Sequence, residues 1–528
     1  MKLIKSLLVV FIVLGLFVAP APAKTPKNTL VIAEAIDDVI TLDPHDVGEI
    51  GGVLTTNQVY QTLCTYDTAN PENIQGVLAE KWSLADDGVT FTFTMRENAV
   101  FASGNPVTAR DAEYSLHRLV KLKSRSAPII TQFGFTPENI NERIKATDDR
   151  TLVIKVGEAY APSFLLYCLS SYPGAIVDSK LVKDHEKDGD MGQAWLKAEN
   201  SAGSGPYVLS MWKPKEKIVL KRNENYWGAK PAVETVILRH IAESSTQRLM
   251  LEKGDIDIAN KLGPDELEAM AGNADIRIQQ GLSGTIYYMG LNARNEYLAK
   301  KEVRQALKHL VDYQGIVETI SRGTMEVHQT FLPRGFLGAV DANPFALDPA
   351  KAKSLLQQAG VAGEIELGMV VWNVPPYVDF AQAIQATFAQ GGIKLNLEMV
   401  DGKQWLTRYR NHDLDIWLGL WGPDYPDPHS NAKAFSVNGA FSPDKNDTLA
   451  DRFGWTNEEL SVRAMAAVRE RDTAKRHQMY QEIQKDHQQS APFVYCFQEK
   501  RAVAMRNNVT GLVMGAMFAD DRYWNTTK

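Results

Sequence analysis

The chain has 528 residues, with 57 Lys+Arg against 64 Asp+Glu and a formal net charge of −7. At roughly 100–200 residues per domain the length allows three or four domains, and 44% hydrophobic with 23% charged residues excludes wholesale disorder. A mildly acidic chain with no run of basic residues is a poor nucleic-acid binder.

Lys2 and Lys5 precede an apolar run at residues 7–18, which is shorter than the about 20 residues a bilayer span requires. Ala21-Pro22-Ala23 then supplies a small-x-small cleavage pattern, so residues 1–23 read as a secretory signal peptide, with a signal anchor as the alternative. No later apolar run is long enough to span a membrane, which predicts a secreted, soluble mature chain. The cysteines Cys64, Cys168 and Cys496 allow at most one disulfide, and no Cys-x-x-Cys zinc pattern occurs.

In chain order, residues 29–34 predict a strand and 53–64 a helix. Val89, Phe91, Phe93 and Met95 alternate with threonines after the Asp86-Asp87-Gly88 turn, which predicts a hairpin with one buried face. Thr108-Ala109-Arg110-Asp111 is a capping-box pattern for a helix reaching about Val120. Residues 184–205 read as a charged and then Gly/Ser-rich connector. Strands follow at 207–212, 217–222 and 231–240, then a helix at 244–252 and a short strand at 256–258. Beyond about residue 284, strand and helix alternate: strand 285–291, one long helix 300–320, and a helix between Asp348-Pro349 and Gly360. Strand 365–372, helix 377–390, strand 393–399, helix 405–409 and strand 415–421 complete the series. The last strand is nearly all apolar, as a buried parallel strand is. The expected fold class is α/β in the second half, with α+β in the first.

No Gly-x-Ser-x-Gly, His-Glu-x-x-His, phosphate-loop or dinucleotide-binding fingerprint occurs. An enzyme is therefore not expected, and neither is a cofactor or a metal site. A periplasmic hydrolase whose residues meet only in space is the alternative from another class.

Residues 78–93 (Leu78-Ala79-Glu80-Lys81-Trp82-Ser83-Leu84-Ala85-Asp86-Asp87-Gly88 and onward) and 101–111 (Phe101-Ala102-Ser103-Gly104-Asn105-Pro106 to Asp111) resemble the signature region of the family 5, cluster C, extracellular solute-binding proteins of ABC importers. Further matches run in the family's order. They are Gly203-Ser204-Gly205-Pro206-Tyr207, Arg222-Asn223-Glu224-Asn225-Tyr226-Trp227, Lys253-Gly254-Asp255-Ile256-Asp257, Val303-Arg304-Gln305-Ala306-Leu307 and Asp348-Pro349-Ala350-Lys351-Ala352. The resemblance implies a two-lobed periplasmic-binding-protein fold of type II, with an extra subdomain in the first lobe. It implies lobe I at residues 24–284 with the extra subdomain at about 60–200, lobe II at 285–491, and a return to lobe I at 492–528. Crossovers are expected near 285–292 and 492–498. It further implies a monomeric periplasmic receptor that passes a peptide or other amine-bearing solute to permease subunits in the inner membrane.

The loop Trp421-Gly422-Pro423-Asp424-Tyr425-Pro426-Asp427-Pro428-His429 follows the end of a buried strand, where pockets form in open α/β sheets. In peptide-binding relatives an aspartate three residues after this tryptophan pairs with the peptide's α-ammonium, and Asp424 matches it. Trp421 and Tyr425 are expected to pack on the solute. Trp372 and Asn373, also after a strand, form a second candidate wall. Dipeptide binders carry a carboxylate-fixing arginine near there, and none stands between Glu366 and Arg408. A nickel-chelate reading is the alternative, because Asp427-Pro428-His429 matches the end of a loop in nickel-binding relatives.

Overall fold

Two long antiparallel strands, Ile276–Leu291 and Phe493–Arg506, run side by side through a sheet of eleven strands in the computed structural model, with short Met325–Val327 paired to the second of them off the main path. Residues 24–68, 70–438, 448–517 and 519–528 are described; the expected cleavage site after Ala23 lies outside them. On one side of the long pair, the sheet continues through Ile416–Trp421, Ile365–Trp372 and Ile393–Val400. The last three are mutually parallel, as the apolar run of Ile416–Trp421 predicts for that strand. On the other side come Ile258–Ala259, Thr29–Glu34 and Thr235–His240, also parallel, then the meander formed with Lys217–Arg222 and Tyr207–Lys213.

The long strands change register partway. Residues 276–282 pair with 500–506 and residues 286–290 with 493–498, with an irregularity between Leu282 and Ile286. Gln498 fills the break from a fully buried position. Its Nε2 donates to Ser283 O (2.8 Å) and Arg334 O (3.1 Å), and its Oε1 accepts from Arg334 N (2.8 Å). Backbone groups that lose ladder partners are thereby satisfied by one amide.

A separate four-stranded sheet holds Ala79–Leu84, Thr90–Met95, Thr151–Lys155 and Ile144–Ala146. Phe91, Phe93 and Met95 are buried, so the alternation sets the inner face. Helix Ala109–Lys121 lies against this sheet and begins as the capping-box pattern predicts, with Asp111 Oδ2 accepting from Thr108 N at 2.9 Å. This unit has its own core, from Leu63 to Ile176, joined by Tyr425 and Val468 from the second half of the chain. Val177, Val182 and Leu196 instead pack in the core that contains Leu30, Ile32 and Tyr207.

Three local readings need correction. The single helix expected over 300–320 is two, Lys301–Lys308 and Tyr313–Thr319. Asp312 starts the second by accepting from Gly315 N, and the apolar stripe conceals the break because both pieces bury it. The helix expected to reach Cys64 ends at Val59, and Cys64–Tyr66 is a strand. The connector 184–205 contains helix Gln193–Leu196, whose Leu196 is fully buried. All three cysteines are buried and free. Among the described residues, no helix is long and apolar enough to cross a membrane.

Candidate functional site

The loop after Trp421 is fixed at both ends. Trp421 Nε1 donates to Asn431 Oδ1 at 3.1 Å, and Asp424 N donates to Ser430 Oγ at 2.9 Å. Asp427 Oδ1 accepts from His429 N (2.8 Å) and pairs with Arg476 Nη2 (2.7 Å). The prolines at 423, 426 and 428 restrict the backbone further. A rigid loop loses little order when it meets a ligand.

Asp424 and Pro426 form one side of a cavity with about 890 Å³ of empty space, open to solvent. The remaining wall comes from the first half of the chain and its last residues, including Tyr60, Tyr66, Tyr172, Tyr226, Asp520, Arg522 and Trp524. Asp424 is exposed to the cleft water by surface area. The surrounding walls nevertheless displace bulk solvent, and this desolvation raises its pKa from 3.8 to about 6, with Lys433 pulling the other way. Among the described residues no donor or cation meets its carboxylate within bonding distance, so the loop presents an uncompensated acceptor to the cavity. Across the wall, burial also raises the pKa of Asp520, against the lowering effect of Arg522, and Asp520 Oδ2 accepts from Tyr66 OH at 2.6 Å.

The other expected site residues lie elsewhere. Tyr425 is 3% exposed and packs on Phe164 with ring centroids 5.7 Å apart, in the core of the four-stranded unit. Trp421 is half-buried and turns toward Phe435, outside the cavity lining. Trp372 stacks on Trp405 at 5.4 Å, and exposed Asn373 bonds through its backbone N to Val400 O; neither lines the cavity. Residues sequence reasoning missed are those of the opposite wall. Tyr226 stands in the family-like stretch 222–227, yet nothing there marks it as a site residue, and Asp520, Arg522 and Trp524 carry no spacing signal.

His429 does not support the chelate reading. Its ring is buried against Phe164 (5.3 Å), its Nδ1 lies 3.3 Å from Tyr480 OH, and it is absent from the cavity wall. Burial pushes its pKa well below 6.5. Among the described residues no group of three or more His, Cys, Asp or Glu side chains could hold a metal ion.

A family model described as bacterial extracellular solute-binding proteins, family 5, matches residues 73–486. The chain belongs to this family. It is 31% identical over 501 residues to the probable D,D-dipeptide-binding periplasmic protein DdpA of Escherichia coli (strain K12), covering 94% of this chain and 93% of that one. It is 27% identical over 450 residues to the nickel-binding periplasmic protein of the same organism, covering 80% and 82%. The binding protein's two-lobed fold is similar to that of the Helicobacter pylori periplasmic binding protein DppA in complex with peptide STSA. The TM-score is 0.77 at 23% identity, over 94% of this chain and 98% of that one.

Proposed function

We propose that this family-5 binding protein is the periplasmic receptor of an ABC import system for a peptide or similar amine-bearing solute. The observation that carries the reading is the unpaired Asp424 carboxylate in a cavity walled by both halves of the chain. An ammonium there would form a charge-assisted bond in a partly water-excluded space. Similarity to a probable D,D-dipeptide-binding protein and to a Helicobacter pylori binding protein in complex with a peptide supports a peptide.

In this reading lobe I comprises residues 24–284 and 492–528, and lobe II residues 285–491. The ladder break at Leu282–Ile286 with Gln498 serves as the hinge. Solute touching Asp424 on one lobe and the opposite wall on the other favours the closed form, which the permease recognises. The receptor acts as a monomer, binds stoichiometrically and releases no product. Native mass spectrometry of protein purified from the periplasm identifies the retained solute. Calorimetry with that solute is expected to show Asp424→Ala weakening binding by roughly 30- to 5000-fold, the effect of removing one partner of a buried charge pair. Small-angle scattering should show a smaller radius of gyration with solute; wild-type affinity in Asp424→Ala, or an unchanged radius at saturation, overturns the reading.

A further inference from the structure

The cavity has a second charged group that the peptide reading leaves without a task. Arg522 comes from the last residues of the chain, in the lobe opposite Asp424, and lines the same cavity. Its guanidinium is fixed rather than mobile. Nη2 donates to Tyr66 O at 3.0 Å and Thr65 Oγ1 at 3.3 Å, and Cζ lies 5.9 Å from the Trp524 ring centre. Its nearest carboxylate, Asp520 Oδ1, is 4.0 Å from Nε, too far for a hydrogen bond, while Asp520 Oδ2 is engaged by Tyr66 OH. Nη1, with two N–H groups, meets no acceptor among the described residues. A guanidinium held through Nη2, with the Nη1 donors unused, can give a charge-assisted hydrogen bond to an anion such as a carboxylate.

We propose that Arg522 determines specificity by binding the carboxylate of a zwitterionic solute whose ammonium sits at Asp424. This rests on the amine reading above. Because the two charges belong to different lobes, such a solute spans the cleft and gains both contacts only when the lobes are positioned together. Asp424 and Asp520 also outnumber Arg522 in carboxylates, so a solute carrying a second anion is disfavoured.

The test is calorimetry with D-alanyl-D-alanine, L-alanyl-L-alanine, trialanine, and the C-terminal amide and N-acetyl form of each. For the tightest binder, amidation is expected to weaken binding to the wild type by about 30-fold or more. In Arg522→Gln the free acid and its amide should bind within about twofold of each other. If Arg522→Gln does not fold, Arg522→Lys replaces it, with an acid-to-amide ratio expected well below that of the wild type. Amidation without cost in the wild type, or with the same cost in the variant, overturns the assignment of Arg522. If acetylation abolishes binding but amidation does not, the amine reading survives and only this inference falls. If no member binds, the peptide reading falls and takes this inference with it.

Discussion

Arg476 Nη2 lies 2.7 Å from Asp427 Oδ1, with 3% and 0% of the two side chains exposed. This pair ties helix Thr473–Ser490 to the loop that carries Asp424. Arg476 also donates through Nε to Ala467 O (3.1 Å), so one guanidinium joins the loop to the end of helix Glu458–Ala467.

Breaking a buried pair by removing one partner leaves an uncompensated charge. Arg476→Ala is therefore expected to lose about 3–5 kcal/mol of stability. Because Asp427 then loses its anchor, solute binding should weaken as well, although neither residue lines the cavity. Denaturant unfolding and calorimetry on the same preparation check the two effects; unchanged affinity would show that the loop holds its shape without the pair.

A comparable loss is expected for Arg118→Ala. Arg118 Nη2 lies 2.6 Å from Asp43 Oδ2, both side chains wholly buried, and Nη1 reaches Asp43 Oδ1 at 2.8 Å. The predicted cost is again about 3–5 kcal/mol. Neither residue lines the cavity or touches the loop that carries Asp424, so a folded variant should keep its affinity, which separates the role of Arg118 from that of Arg476.

Affinity for an amine should depend on pH through Asp424. The free carboxylate titrates at about 6, because desolvation raises it from 3.8. The ammonium requires the ionised form. Binding should be insensitive to pH above about 7 and weaken by up to tenfold per unit below about 6, with proton release on binding in that range. Calorimetry in buffers of different ionisation enthalpy measures both; a pH-independent affinity down to 4.5 would remove Asp424 from the contact.

Stability should fall on mild acidification. Burial lowers the pKa values of His45 to about 4, His328 to about 4 and His487 to about 3, from 6.5. A histidine held neutral in the fold takes up its proton more readily when unfolded. Its contribution is therefore complete above about 6.5 and is lost progressively as pH falls toward 4 and 3. Unfolding free energy should therefore drop between pH 6 and 4.5, offset in part by Asp424 and Asp520, whose raised pKa values act in the opposite sense. Thermal melts across that range, with a flat profile as the contrary result, decide it.

His429→Ala should cost about 2 kcal/mol or more through the cavity left beside Phe164 and Tyr480. It should not change the response of the protein to a nickel–histidine chelate. Loss of a stoichiometric nickel site in the variant would restore the chelate reading.

Local chemistry was legible in the sequence. Strand Ile365–Trp372 and helix Tyr377–Gln390 lie where periodicity places them, and Thr108 and Asp111 cap a helix as their spacing predicts. Four helices among the described residues between His429 and Ser490 carry little local signal; Thr473–Ser490 in particular is mostly polar, and its amphipathic character is weak. The family and the loop bearing Asp424 were also readable, because both rest on runs of adjacent residues. Tertiary structure decided which loop residues face the cavity. Asp424 and Tyr425 are neighbours, yet one carboxylate meets cleft water and one ring enters the core with Phe164. An irregular loop has no period from which to read such a division. Nor could spacing bring Arg522 and Trp524 to the same cavity, since that wall exists only once the end of the chain has packed against Tyr66 and its neighbours. Contacts between residues so distant in sequence are fixed by the burial they achieve together, which no local segment encodes.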